Sequence, residues 1–222
     1  MNHSPLATVI FFHVGIVPIS RTVVTTWGLM AALTAACWIA TRSLRVEAGG
    51  WQAMIETMVV GIEEQIAALL NRDAAPFLPL LGTLFIFLVA ANLCGIVPGV
   101  RAPTASIETP AALAAIVFLS VHFYGVRIQG LVAYLKGYLK PNPVMLPFNI
   151  LSELTRSFSL GMRLFGNIMS EELVVAIVLA LAGLLVPIPF MAFGILVGLV
   201  QAYIFSVLAA VYIGGGIGAI EK

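Results

Sequence analysis

The sequence predicts an all-α integral membrane protein, about five transmembrane helices plus one amphipathic helix lying at the membrane surface. Three observations carry this. Of the 222 residues, 61% are hydrophobic and only 9% charged, with a mean hydropathy of +1.08. A soluble domain carries about 25% charged residues, so this chain cannot cover a water-facing surface with polar groups. The apolar residues fall into stretches near the roughly 20 residues that a bilayer-spanning helix needs. Charged, proline-rich or glycine-rich breaks separate those stretches.

Taken in order, Thr22 to Thr41 is the first span, followed by Arg42, Arg45 and a polar break from Ser43 to Gly50. Met1 to Pro18 carries no Lys or Arg ahead of its short apolar run, and the first span has no convincing small-residue cleavage site. We therefore expect this segment to be retained. From Trp51 to Asn71, Ile55, Met58, Val59, Ile62, Ile66 and Leu69 recur at helical spacing beside Glu56, Glu63 and Glu64. That pattern is an amphipathic surface helix whose acids form a solvated face. The run from Pro76 to Val97 closes at Pro98-Gly99, and the loop from Arg101 to Pro110 follows. Ala111 to Tyr124 makes a span once Glu108 and Thr109 are drawn in, giving a middle hairpin of 76–97 and 108–125. Gly125 to Asn142 is polar, with Pro141 and Pro143 interrupting any helix. A very long helix is expected from Leu146 to Leu185, then a turn at Val186-Pro187-Ile188-Pro189, then a last helix over 190–217. The whole chain, 1–222, reads as a single membrane domain.

Lys and Arg in short loops set orientation. With the N-terminus outside, the inner loops hold Arg42, Arg45, Arg72, Arg127, Lys136, Lys140 and Lys222, and the outer loops only Arg21 and Arg101. The expected topology is N-terminus out, C-terminus in.

The stretch from Ser157 to Leu173, SFSLGMRLFGNIMSEEL, is where chemistry concentrates. Arg163 lies inside a long apolar helix, where a charged side chain costs at least ~2.5–3.5 kcal/mol on insertion scales. If the helix crosses steeply, Arg163 is too far from either end to snorkel to a headgroup. At ~100° per residue, Asn167 and Glu171 lie about 40° and 80° round from Arg163, with Arg156 on the same side and Glu172 roughly opposite. Arginine stays protonated at any physiological pH and holds a permanent positive field. The carboxylates, in contrast, can take up and release a proton. A fixed cation with titratable acids is chemistry for moving an ion rather than breaking a bond.

In the last helix Gln201 is the one strongly polar residue, and Gly194 and Gly198 stand four apart before it. Such a glycine pair ordinarily marks close helix packing. Across a hairpin turning at Pro187–Pro189, equal rise in both arms places Gln201 near the depth of Glu172. A buried glutamine needs a partner, and Glu172 and Arg163 are the candidates. Asn92 either bonds between helices or lines an aqueous path. Glu108 is a funnel carboxylate or a solvated loop residue, and His122 is placed at an interfacial helix end.

Other classes lose support. There is no HExxH, Walker A loop, nucleophile elbow or dinucleotide fingerprint, so no cofactor or metal is expected. No basic cluster suits nucleic acid. Cys37 and Cys94 form no CxxC and are expected to be small buried residues.

At this point a family resemblance can be stated. RLFGN at Arg163 to Asn167 with EEL at Glu171 to Leu173 resembles the signature of subunit a of bacterial rotary F-type ATP synthases. LVQAYIFSVLAAVYI, Leu199 to Ile213, is similar to that family's last helix, with Gln201 at its glutamine position. NLCGIVPG from Asn92 and PTASIET from Pro103 resemble its middle hairpin. The resemblance implies a non-catalytic subunit of the membrane sector, in the bacterial inner membrane, with a periplasmic N-terminus and cytoplasmic C-terminus. Its partners would be a ring of c subunits and the b subunits of the peripheral stalk, besides the rest of the complex and the lipid bilayer. Protons, or Na+, would pass by two offset half-channels to and from ring carboxylates. Arg163 would stand between the half-channels and block leak, with Asn167, Glu171, Glu172 and Gln201 in the ion path and Asn92 and Glu108 as candidate lining. Each elementary charge that crosses gains ~2.3 kcal/mol per 100 mV, and a positive barrier forces that energy through rotation. The pattern departs at two places. Many relatives have histidine where this chain has Gly194 and a small residue where it has Glu171, which implies that Glu171 supplies the titratable group.

Two other readings compete. A stand-alone secondary transporter with Arg163 as substrate site predicts an internal repeat with paired broken helices, and the two halves share no motif. A purely structural anchor leaves Arg163, Asn167, Glu172 and Gln201 without a task.

Overall fold

The computed structural model describes residues 10–14, 17–42, 49–95, 102–138, 144, 146–183 and 186–218. A short antiparallel hairpin, β1 (Ile10–Val14) and β2 (Val17–Ser20), precedes seven α-helices among the described residues. These are α1 (Arg21–Thr41), α2 (Gly50–Leu70), α3 (Leu78–Cys94), α4 (Glu108–Gln129), α5 (Leu131–Tyr138), α6 (Leu146–Ala182) and α7 (Pro187–Gly216). The hairpin was not expected. Four helices (α1, α4, α6 and α7) are long and apolar enough to cross a membrane, and α3 is apolar but only 17 residues long. That is the lower end of the roughly 17–25 residues that a span needs, so four of the five expected spans meet the length outright. Apart from the hairpin the chain is an all-α membrane protein.

Several hydroxyls in the apolar helices bond to the backbone of their own helix, as suits a hydrocarbon surrounding. The hydroxyls of Thr26, Thr34 and Thr41 donate to the carbonyls four residues back at 2.8 Å. Ser120 does so at 2.6 Å and Thr155 at 2.7 Å. Alpha2 ends at Asn71 with φ 51°, a left-handed cap that asparagine tolerates.

Several boundaries differ from expectation for identifiable reasons. Alpha4 runs to Gln129 rather than 125, and the segment read as merely polar contains α5, whose Tyr134 is buried beside Gly125. His122 lies within α4, its ring 4.4 Å from that of Phe118, rather than at the helix end. Alpha6 stops at Ala182, not 185, because Gly183 takes φ +78°, which ends a helix. Alpha7 begins at Pro187, not 190. Its prolines occupy the first turn, where a missing N–H goes unused, instead of forming the turn. Cys37 is exposed and Cys94 half-buried, so neither is the buried residue expected. Alpha1 turns its side into the surroundings, and in an apolar solvent a cysteine does not need the core. Pro98-Gly99, Arg101, Pro141 and Pro143 lie outside the described residues, as do Arg45, Lys140 and Lys222, on which the orientation partly rests.

Alpha7 is the central helix, packing on α2, α3, α4 and α6. Its buried stripe includes Gly194, Gly198, Gln201, Ala202, Phe205, Ala209, Ala210 and Ile213. Small residues allow close approach where lipid supplies no hydrophobic drive. Alpha4 and α6 meet at Gly161, where an added Cβ would lie 3.1 Å from both Ala114 Cβ and the Pro110 carbonyl oxygen. Backbone cannot yield there. Gly161→Leu is therefore expected to destabilise the fold by about 1–3 kcal/mol, read as a lowered Tm of the purified protein in detergent. Gly166→Ala, at a position with open space around it, should leave Tm unchanged.

Candidate ion-pathway site

The polar residues of the membrane region meet along one stripe of α7, at positions 194, 198 and 201. At the first, Glu171 of α6 fills the space that a side chain at Gly194 would need. At the second, Asn92 of α3 packs against Gly198 and its Nδ2 donates to the Gly198 carbonyl at 2.7 Å. At the third, the Asn167 Nδ2 of α6 donates to Oε1 of the buried Gln201 at 2.8 Å. The two glycines thus make room for polar side chains of neighbouring helices, rather than for bare backbone contact as the spacing suggested.

The partner of Gln201 corrects an expectation. The bond goes to Asn167, not to Glu172 or Arg163. Asn167 lies fifteen residues before the end of α6 and Gln201 fourteen past the start of α7. Because both helix ends sit three residues earlier than expected, the matching depth shifts down α6 by more than a turn.

Glu171 and Glu172 both line a cavity of 310 Å³, closed by Asn92, Gly95, Ala102, Ile168, Gly194 and Gly198 among others. It occupies the part of α6 that lies towards the α6–α7 turn. A second, more open cleft of 480 Å³ lies on the other side of Arg163 along α6, lined by Ser152, Thr155, Arg156, Ser159 and Tyr212 with Phe148 and Leu151. Arg163 belongs to neither wall. It is exposed on the surface of the chain, one turn before Asn167, and among the described residues it has no hydrogen bond or ion pair. A guanidinium in an apolar surrounding is costly unless a counter-charge or water meets it.

The structure thus brings Asn92, Glu171 and Glu172 to one cavity and joins Asn167 to Gln201 beside it. Glu108 is not in that cavity's wall. It is the exposed first residue of α4, where a carboxylate complements the helix dipole. The sequence reading missed Thr104, whose hydroxyl donates to Asn92 Oδ1 at 3.0 Å. It also missed Ser159 and Tyr212 in the open cleft. No local signal distinguishes these from ordinary helix and loop residues.

Residues 23–214 match the family described as ATP synthase A chain. ATP synthase subunit a 2 of a Bradyrhizobium species is 59% identical over 222 residues, covering all of both chains. ATP synthase subunit a 1 of Hahella chejuensis is 47% identical over 210 residues, 95% of this chain and 89% of its own. ATP synthase subunit a 1 of Chlorobaculum parvum is 42% identical over 216 residues, 96% of each. With most of its length matched by the family and its whole length by a relative, this chain belongs to the ATP synthase A chain family.

Proposed function

We propose that this chain is the ion-translocating stator subunit of the membrane sector of a bacterial rotary ATP synthase. It offers protons, or Na+, two half-channels to and from the carboxylates of a c-subunit ring, and Arg163 prevents direct leak between them. The observation that carries the reading is the placement of an exposed Arg163, without a hydrogen bond or ion pair among the described residues, between two separate cavities along the same helix.

The chemistry follows from that placement. An ion entering the 310 Å³ cavity meets Glu171 and Glu172, which can accept and pass it on. From there it neutralises a ring carboxylate, which then moves into lipid without a net charge. A ring carboxylate that arrives at Arg163 is favoured in its ionised form, so the ion it carried is released towards the cleft beside Arg156, Ser159 and Tyr212. The Asn167–Gln201 bond holds the two helices in register beside the cation. With the N-terminus periplasmic and the C-terminus cytoplasmic, the α6–α7 turn and the adjoining cavity face the periplasm and the open cleft faces the cytoplasm. Alpha1 and α2, which present exposed apolar side chains such as Trp27, Trp38, Trp51 and Met54, suit the b subunits of a peripheral stalk.

Thiol labelling tests the two paths. In a background with Cys37 and Cys94 replaced, Val175→Cys should react with a membrane-impermeant thiol reagent from the periplasmic side alone. Ser152→Cys should react from the cytoplasmic side alone. Labelling of both positions from one face would end the two-channel reading.

A further inference from the structure

We infer that Thr104 is a positioning residue for ion entry: its hydroxyl fixes the orientation of the Asn92 amide in the wall of the Glu171–Glu172 cavity. The inference rests on the half-channel reading above and adds to it a residue with no charge and no place in the cavity wall.

Thr104 lies in the 3-10 turn Pro103–Ala105 and is fully buried. A threonine hydroxyl inside an apolar protein must find a partner, and this one reaches across to α3, donating to Asn92 Oδ1 at 3.0 Å. The direction of that bond is forced. Asn92 Nδ2 donates to the Gly198 carbonyl at 2.7 Å, so the other end of the amide is its oxygen, which can only accept. The hydroxyl must therefore be the donor. The result is a one-way chain from Thr104 through the Asn92 amide to the backbone of α7, linking three separate elements at the cavity wall.

Each neighbour narrows the freedom of that amide further. Gly198 lacks a side chain where Asn92 lies, and a Cβ there would stand 3.0 Å from Asn92 Cβ and 3.3 Å from Nδ2. Gly95 is equally close-packed, with an added Cβ 3.2 Å from Ala102 Cβ. The amide is thus held at both ends. Without the Thr104 hydroxyl, Asn92 Oδ1 loses its donor, and the amide, held only through Nδ2 on the Gly198 carbonyl, is free to swing about that one bond at a wall shared with Glu171 and Glu172. A cation or a proton-carrying water entering that cavity would meet a dipole whose direction is no longer fixed.

The test uses the assembled synthase in vesicles and measures how synthesis depends on the driving ion on the periplasmic side. Thr104→Val removes the hydroxyl and keeps the shape. It is expected to raise the half-saturating ion concentration about tenfold, in line with one buried group left unsatisfied, with less than a twofold change in the rate at saturating ion. Thr104→Ser should restore the parent value within about twofold. A purely structural role would instead lower the amount of assembled complex and the saturating rate together, without moving half-saturation. Parent-like half-saturation in Thr104→Val, or a shift in Thr104→Ser as large as in Thr104→Val, overturns the inference. Should Thr104→Val not assemble, Thr104→Cys takes its place. Its thiol is a weak donor, so an intermediate shift supports the role and a value equal to that of Thr104→Ser refutes it. The labelling of Val175→Cys is run alongside. Periplasmic labelling with no shift in Thr104→Val discards the role of Thr104 alone, whereas missing periplasmic labelling discards the half-channel reading itself.

Discussion

Arg163→Ala is expected to abolish ion-driven ATP synthesis and to open a passive ion leak through the membrane sector. Two unit charges 4 Å apart attract by about 4 kcal/mol at an effective dielectric of ~20, roughly a thousandfold in the population of ionised ring carboxylate facing the cation. Alanine removes that bias and the barrier together. Alpha6 itself should persist, because Arg163 is exposed and alanine is the best helix former. Arg163→Lys keeps the charge but loses the planar fork, so leak should stay low while synthesis falls. Vesicles carrying the whole complex separate the two effects, with synthesis read as ATP formed after an imposed ion gradient and leak as decay of that gradient without nucleotide. Coupled synthesis at the parent rate in Arg163→Ala would return this arginine to a structural role.

The second large effect is expected at Glu171. Glu171→Gln keeps the size and hydrogen-bonding reach of the side chain but cannot exchange a proton. With Glu172 remaining in the same cavity, synthesis should fall by about tenfold, below the 10²–10⁴-fold that a positioned proton-transfer group typically contributes. Glu171→Asp should retain more activity than Glu171→Gln. The contact with Gly194 gives an independent check. A methyl group at Gly194 would occupy the place of the Glu171 carboxylate, and that carboxylate is the free end of a flexible side chain. Gly194→Ala should therefore leave the complex assembled yet impair synthesis as Glu171→Gln does. The double variant Glu171→Gly with Gly194→His puts a titratable ring into the same space and should recover part of the lost activity. Parent-level synthesis in Glu171→Gln would mean that this carboxylate only hydrates the cavity.

Much of this protein is legible in one dimension. The apolar runs fix where α1, α4, α6 and α7 lie, because lipid tolerates only backbone that satisfies its own hydrogen bonds, and a helix does so within one segment. The candidate residues for ion handling stand out for the same reason. Arg163, Glu171 and Glu172 are conspicuous against an apolar background where each is costly. Periodicity alone placed Asn167 and Glu171 on one flank of Arg163. Helix ends were less legible. Gly183 and Pro187 signal a turn, but whether prolines form it or begin the next helix depends on a few degrees of backbone geometry.

Those small differences decided the pairings. A three-residue change in both helix ends at the α6–α7 turn moved the partner of Gln201 from Glu172 to Asn167. The glycine pair of α7 reads in sequence as a helix-packing motif, yet only tertiary structure reveals that Glu171 and Asn92 fill the space. Thr104 and Asn92 meet because a short turn folds back over the end of α3, and neither residue carries a local mark of the other. Sequence by itself determined the solvent, the helices and the charged groups, since each follows from composition and period within a single segment. Which polar atoms face one another was decided by the crossing and register of separate helices, a property of the packed whole that no single segment encodes.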